Sequence, residues 1–302
     1  MVGIRLLQDG VTGENMHYAD HKTILSPKNG MNIYRGCTHG CIYCDSRSTC
    51  YQMDHDFEDI EVKRDAPRIL EAQLLRKRKK CMIGTGAMCD PYMHIESELQ
   101  MTRQCLSVIE KHGFGLSILT KSDRILRDMD ILKAINGKSK CVVQITLTTF
   151  DDALCKIIEP HVSSTSERIR VLEKMRDAGI PTVVWLCPIL PFINDTEDNL
   201  RGLLDHCVKA KVRGILCFGF GVTLRDGDRE YFYKKLDEHF PGIRERYEQR
   251  FGDSYECRSP NSDRLMNIFR NECRKHGILH DQKEVFEYLT EFETRTRQTS
   301  LF

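Results

Sequence analysis

Six short β-rich runs alternate with helical patterns between residues 31 and 218, and this rhythm limits the fold more than any other feature of the chain. Parallel neighbours in a sheet need a crossover connection, usually a helix, so serial strand–helix units predict a parallel sheet wrapped by helices. The spacing predicts strands over 31–36, 81–85, 116–120, 141–147, 181–187 and 214–218. Helices are predicted over 65–80, 97–112, 123–135, 166–178 and 196–209. Ser122 and Thr196 stand where N-caps belong, and Gly179 where a C-cap belongs. Six units, fewer than the eight of a closed barrel, predict a partial (β/α)6 TIM-like barrel.

The barrel is expected over residues 31–225, with an N-terminal extension of short strands over 1–30. The rhythm then stops, and helical patterns at 229–239, 243–250, 262–275 and 282–292 predict a C-terminal helical cap over 226–302, frayed from 294 onward.

Composition narrows the class. The 302 residues are 40% hydrophobic and 29% charged, as in ordinary soluble domains. No run approaches the ~18 apolar residues of a membrane span. Residues 1–10 lack the apolar core of a signal peptide, so the fourteen cysteines imply a reducing cytoplasm, with thiols free or metal-bound. A net charge of +1 gives no global steering toward nucleic acid. The basic run Arg76-Lys-Arg-Lys-Lys80 reads as the solvated end of a helix, or else as a contact for a phosphate backbone.

In such barrels chemistry belongs at the C-terminal ends of the strands. The first strand leads into Arg35-Gly-Cys-Thr-His-Gly-Cys-Ile-Tyr-Cys44, a C-x3-C-x2-C spacing. Three thiolates can hold three corners of a [4Fe–4S] cube and leave the fourth iron open for chemistry. The metal ligands are therefore Cys37, Cys41 and Cys44. The competing reading is a non-catalytic iron–sulfur or zinc protein, but zinc would need a fourth donor, and only His39 and Cys50 are near. His39 reads as a loop residue and Cys50 as a buried small hydrophobe.

Gly84-Thr-Gly-Ala-Met-Cys-Asp-Pro-Tyr92 follows the second strand, and its glycines allow close backbone approach to a ligand. Lys121, after the third, suits a carboxylate, and Thr146-Leu-Thr-Thr149 offers hydroxyls. The run 186–195 carries two prolines and reads as a rim loop.

The cysteine spacing resembles the signature of the radical S-adenosylmethionine (SAM) superfamily. With Gly86-Ala-Met-Cys-Asp-Pro-Tyr92, Thr120-Lys-Ser-Asp123, Glu159-Pro-His and Ser166-Glu-Arg168, it resembles the branch related to spore photoproduct lyase. The resemblance runs from about residue 20 to 275 and implies a [4Fe–4S] cluster, SAM, and an electron donor such as flavodoxin or ferredoxin. It implies that the cluster cleaves SAM reductively and that the resulting radical abstracts a substrate hydrogen. Tyr43, Asp90, Lys121 and Thr148 would help hold SAM, and Cys89 would match the cysteine that returns a hydrogen atom. The implied substrate is a thymine lesion in DNA. Asp45 stands where the lyase has a second tyrosine, which leaves open a peptide, a tRNA or a small metabolite as the target.

Overall fold

The computed structural model describes residues 15–294. The strands, in chain order, are β1 (Met16–Ala19), β2 (Gly30–Met31), β3 (Tyr34–Arg35), β4 (Ile60–Lys63), β5 (Met82–Thr85), β6 (Gly115–Thr120), β7 (Cys141–Thr146), β8 (Thr182–Trp185), β9 (Gly214–Leu216), β10 (Gly221–Thr223) and β11 (Glu256–Arg258). The helices are α1 (Ala66–Leu75), α2 (Glu96–Leu99), α3 (Met101–Lys111), α4 (Met129–Lys138), α5 (Asp152–Ile158), α6 (Thr165–Asp177), α7 (Glu197–Lys209), α8 (Asp228–His239), α9 (Ile243–Phe251), α10 (Ser262–Lys275) and α11 (Gln282–Thr290).

Six strands form one sheet in the order β2-β5-β6-β7-β8-β9, every pair parallel. This is the partial barrel that the alternation predicts. Successive residues of a strand point to opposite faces, and here both faces are covered, which is why the strands read as apolar runs. Ile83, Leu116, Ile118, Val143, Ile145, Val184 and Ile215 join the main core with residues of α1, α3, α6 and α7. On the other face Met82, Val142, Val183 and Leu216 meet Val285 and Leu289 of α11. Burying those two side chains stabilises the docked helix by roughly 1.5–3 kcal/mol each. No helix among the described residues is long and apolar enough to cross a membrane.

Several boundaries differ from the expectation. The strand over 31–36 is two strands in two sheets: β2 joins the barrel, whereas β3 pairs antiparallel with β4, which also pairs with β1. The helix over 97–112 breaks at Gln100, whose φ is +49°, and the Glu96 carboxylate accepts from the Thr102 amide to start α3. α1 ends at Leu75, so the basic run lies beyond the helix, where like charges are spread into solvent. The C-terminal region is not helices alone, because it contains β11, which pairs antiparallel with β10 at the end of the range expected for the barrel. Thr294 bridges to Ser139, while the leader expected to be absent over 1–10 and the rest of the frayed tail lie outside the described residues.

Candidate active site

Between β3 and the short turn at residues 45–47 the cysteine loop is held from three sides. Gly36 turns the chain at φ +90°, and a Cβ there would stand 2.7 Å from the Phe57 carbonyl oxygen. The Cys37 amide donates to that same oxygen at 3.0 Å. From a second side, the Ile42 amide donates to the Ile158 carbonyl (3.0 Å) and the His161 amide to the His39 carbonyl (3.1 Å). From a third, Cys41, Ile42 and Tyr43 are buried against Leu190, Val222, Phe232 and Tyr247. The C-terminal helices therefore clamp the loop as well as capping the barrel.

Cys37 and Cys41 are buried and Cys44 is half-buried. Burial pushes the Cys37 thiol well above its ordinary range, and the nearby Cys44 and Cys41 push it further. Burial also pushes Cys41 up to about 12, with Lys121 opposing and Glu159 and Cys44 adding. Cys37 and Cys41 thus share a low-dielectric site close to Cys44, where a bound metal would favour the two buried thiolates. Three grouped thiols fit three corners of a [4Fe–4S] cluster.

The strand ends beside this loop are joined through Asp90, which is 7% exposed. One carboxylate oxygen accepts from Thr120 Oγ1 (2.6 Å) and the Tyr92 amide (2.9 Å), the other from the Lys121 amide (2.7 Å). His39 Nδ1 lies 3.6 Å from Asp90. Gly86, at φ +99°, lets this loop cross β6, since a Cβ there would fall 1.9 Å from the Leu119 carbonyl oxygen. The close approach expected toward a ligand is made here to a neighbouring strand. Lys121 is half-buried, and although burial pulls its ammonium down, Cys41, Glu159, Asp90 and Cys44 outweigh that and raise it. It is a cation close enough to Cys41 and Cys44 to interact with their charge.

Two buried polar atoms here have no hydrogen-bond partner: Thr148 Oγ1 and His39 Nε2. The Thr148 carbonyl is gripped by Asn194 (2.8 Å) and Asn199 (3.1 Å), which fixes the residue while its hydroxyl is left open. Buried groups of this kind normally have partners, so a polar ligand such as SAM fits beside them.

Tyr43 is buried and its hydroxyl donates to Glu159. Glu159 also pairs with Arg168 at 2.5 Å, both side chains fully inaccessible. Burial pushes the Glu159 carboxyl up, but Arg168, Lys121 and the Tyr43 bond outweigh it and hold it below the ordinary value. Sequence reasoning singled out Glu159 and Arg168 only as parts of a family pattern; nothing in their spacing announced the pair.

Cys89 faces another cavity, of about 210 Å³, shared with Arg35, Tyr51, Lys63 and Met88. Its thiol donates to the Tyr34 carbonyl at 3.1 Å. Burial and then Asp90 push the thiol up to about 12, so it stays an S–H at neutral pH. Tyr51, which sequence reasoning missed, donates its hydroxyl to Asp45 at 2.8 Å. Cys50, expected to be buried, is exposed, and its sulfur accepts from Arg225 at 3.2 Å.

Residues 31–204 match the family model of the radical SAM superfamily. This chain belongs to the radical SAM superfamily. Radical SAM proteins use a [4Fe–4S] cluster and SAM, and these are the cofactors of this chain; such enzymes also need an electron donor. Among curated relatives, an uncharacterized protein of Mycobacterium tuberculosis is 28% identical over 227 residues, covering 72% of this chain and 66% of the relative. An uncharacterized protein of Methanocaldococcus jannaschii is 35% identical over 176 residues, 58% of this chain and 65% of that one. The chain thus spans about two-thirds of the length of the curated relatives it matches. Among solved structures, spore photoproduct lyase complexed with dinucleoside spore photoproduct superimposes with a TM-score of 0.62 at 14% identity, covering 88% of this chain and 81% of that one. This likeness shows a shared radical SAM fold.

Proposed function

We propose that this radical SAM enzyme holds its cluster through Cys37, Cys41 and Cys44, binds SAM beside it, and abstracts hydrogen from a thymine lesion in DNA. The observation that carries this is the grouping of three thiols, two of them buried, with the Lys121 cation and the open Thr148 hydroxyl just past the ends of the neighbouring strands β6 and β7. When bound, the cluster and SAM supply the reductive cleavage that starts radical chemistry. Lys121 supplies positive charge for the SAM carboxylate, and Thr148 a hydroxyl for its polar groups. Asp90 and Tyr43, their polar atoms already engaged by protein, set the loops that carry these contacts.

Cys89 gives a hydrogen atom back to the product radical. Its raised pKa suits this, because hydrogen-atom donation needs S–H and not thiolate. Tyr51 lines the same cavity and, by donating its hydroxyl to Asp45, brings a tyrosine beside the position where the lyase has its second one. The lesion assignment draws on the solved lyase complexed with dinucleoside spore photoproduct.

Reconstituted protein, SAM, a strong reductant and an oligonucleotide carrying the thymine dimer test the reading. Loss of the dimer with recovery of two thymines, read by liquid chromatography and mass spectrometry, is expected. Production of 5′-deoxyadenosine with the dimer intact would turn the assignment to a peptide, a tRNA or a metabolite, the reading that the +1 net charge favours.

A further inference from the structure

Away from the thiols, three side chains of the β1–β4–β3 sheet and its flanking loop converge as metal ligands do. Nitrogen atoms of His17 and His55 and a carboxylate oxygen of Glu61 all lie within 4.8 Å of one another. His17 and Glu61 are register partners across the parallel β1–β4 pair, so the sheet itself sets two of the three donors side by side. His55 comes from the loop before β4, and its ring meets that of His17 edge-on with centroids 4.9 Å apart.

The outer contacts point the same way. His17 Nδ1 lies 3.0 Å from the Asp59 carboxylate, and His55 Nδ1 lies 3.0 Å from the Asp56 carbonyl oxygen. In each ring Nδ1 therefore carries the proton and Nε2 offers its lone pair. His55 Nε2 is buried and has no hydrogen-bond partner, a costly state for an imidazole nitrogen unless something binds it. His21 Nε2 lies 2.8 Å from one oxygen of Glu61 and steadies that carboxylate. Metal-ligating histidines characteristically donate their second nitrogen to a carboxylate or carbonyl, and both do so here.

We propose that His17, His55 and Glu61 bind a zinc ion, with Asp59, the Asp56 carbonyl and His21 orienting the ligands. Two imidazoles and one carboxylate suit a borderline ion such as zinc, whereas calcium and magnesium prefer all-oxygen sites. The ion staples the loop containing His55 to the sheet. That same loop supplies the Phe57 carbonyl that receives the Cys37 amide at 3.0 Å. Water fills the fourth zinc position beyond these three protein ligands, and the ion steadies the first corner of the cysteine loop without touching the thiols.

The test is zinc added anaerobically to cluster-loaded protein, followed by desalting and elemental analysis. Equimolar zinc should be retained alongside unchanged iron. In His55→Ala zinc should be lost with iron still bound, and in Asp59→Asn its affinity should fall by about 10–100-fold. On the unaltered protein, zinc-edge X-ray absorption should show nitrogen and oxygen at about 2.0 Å and no sulfur shell near about 2.3 Å, a readout that does not depend on any variant folding. No retained zinc, zinc retained undiminished in folded His55→Ala, or a sulfur shell would each overturn the proposal.

Discussion

Glu159 and Arg168 form an ion pair of 2.5 Å with neither side chain accessible to solvent. Arg168 also donates to the Thr146 carbonyl at 2.8 Å, and Glu159 receives the hydroxyl of Tyr43, which stands between Cys41 and Cys44 in sequence order. The pair thus ties the end of β7 to the cysteine loop. Breaking one partner of such a pair strands a buried charge, and Arg168→Met should destabilise the fold by about 3–5 kcal/mol. Chemical denaturation of the apoprotein measures it, and the iron retained after reconstitution should fall in parallel.

Glu159 also sets an acid limit. Its folded pKa lies below its ordinary value of 4.5, so its contribution is present above that value and fades as pH falls through the folded one. A denaturation series from pH 6 to pH 3 should show this loss, and Glu159→Gln should flatten that part of the profile.

Asp228 carries the opposite sign. It is 1% exposed, and burial raises its carboxyl from 3.8 to about 6. A raised carboxyl means that stability is highest below the unfolded pKa and is lost as pH rises from 3.8 through about 6. Its Oδ2 has no partner, while Oδ1 accepts from the Arg225 amide at 2.6 Å, a bond that asparagine can keep. Asp228→Asn should therefore stabilise the protein by roughly 1–2 kcal/mol at pH 7, with the gain vanishing below pH 4. Denaturation midpoints at the two pH values decide it.

Gly86 and Gly113 separate crowding from backbone conformation. Both have positive φ, but a Cβ on Gly86 would collide with the Leu119 carbonyl, whereas nothing lies within 4 Å of one on Gly113. Gly113→Ala should cost about 1 kcal/mol and Gly86→Ala about 3 kcal/mol or more, by equilibrium unfolding. Equal costs would mean that the loop after β5 yields to the added methyl.

Cys89→Ala should uncouple the reaction. The thiol lies in the cavity with Tyr51 and outside the three-cysteine loop, so under the proposed lesion chemistry 5′-deoxyadenosine should still form while thymine is not recovered. Chromatography of both products from one reaction reads the ratio. Undiminished product would remove Cys89 from the hydrogen return.

The barrel was legible in the sequence because strands covered on both faces leave apolar runs, and because Ser122 and Thr196 do cap the segments that follow them. The split between β2 and β3 was not, since a lone Asn32 inside an apolar run is a weak turn signal and the pairing of β3 with β4 depends on tertiary packing. Gln100 in the left-handed region was hidden for a related reason: the side chain that compensates it, Glu96, looks like an ordinary first-turn acid. At the site the cysteine spacing announced a metal centre, but several of the partners that hold it come from segments more than a hundred residues away, as Glu159 does for Tyr43. Pairings at that range depend on tertiary packing and leave no local pattern.

The account stands on three thiols that leave one iron to SAM. Anaerobically reconstituted protein, given SAM and a strong reductant, should yield 5′-deoxyadenosine, and Cys41→Ala should abolish both the cluster absorbance and that product while the far-ultraviolet circular dichroism stays unchanged. A folded, iron-loaded wild-type protein that makes no 5′-deoxyadenosine would contradict it.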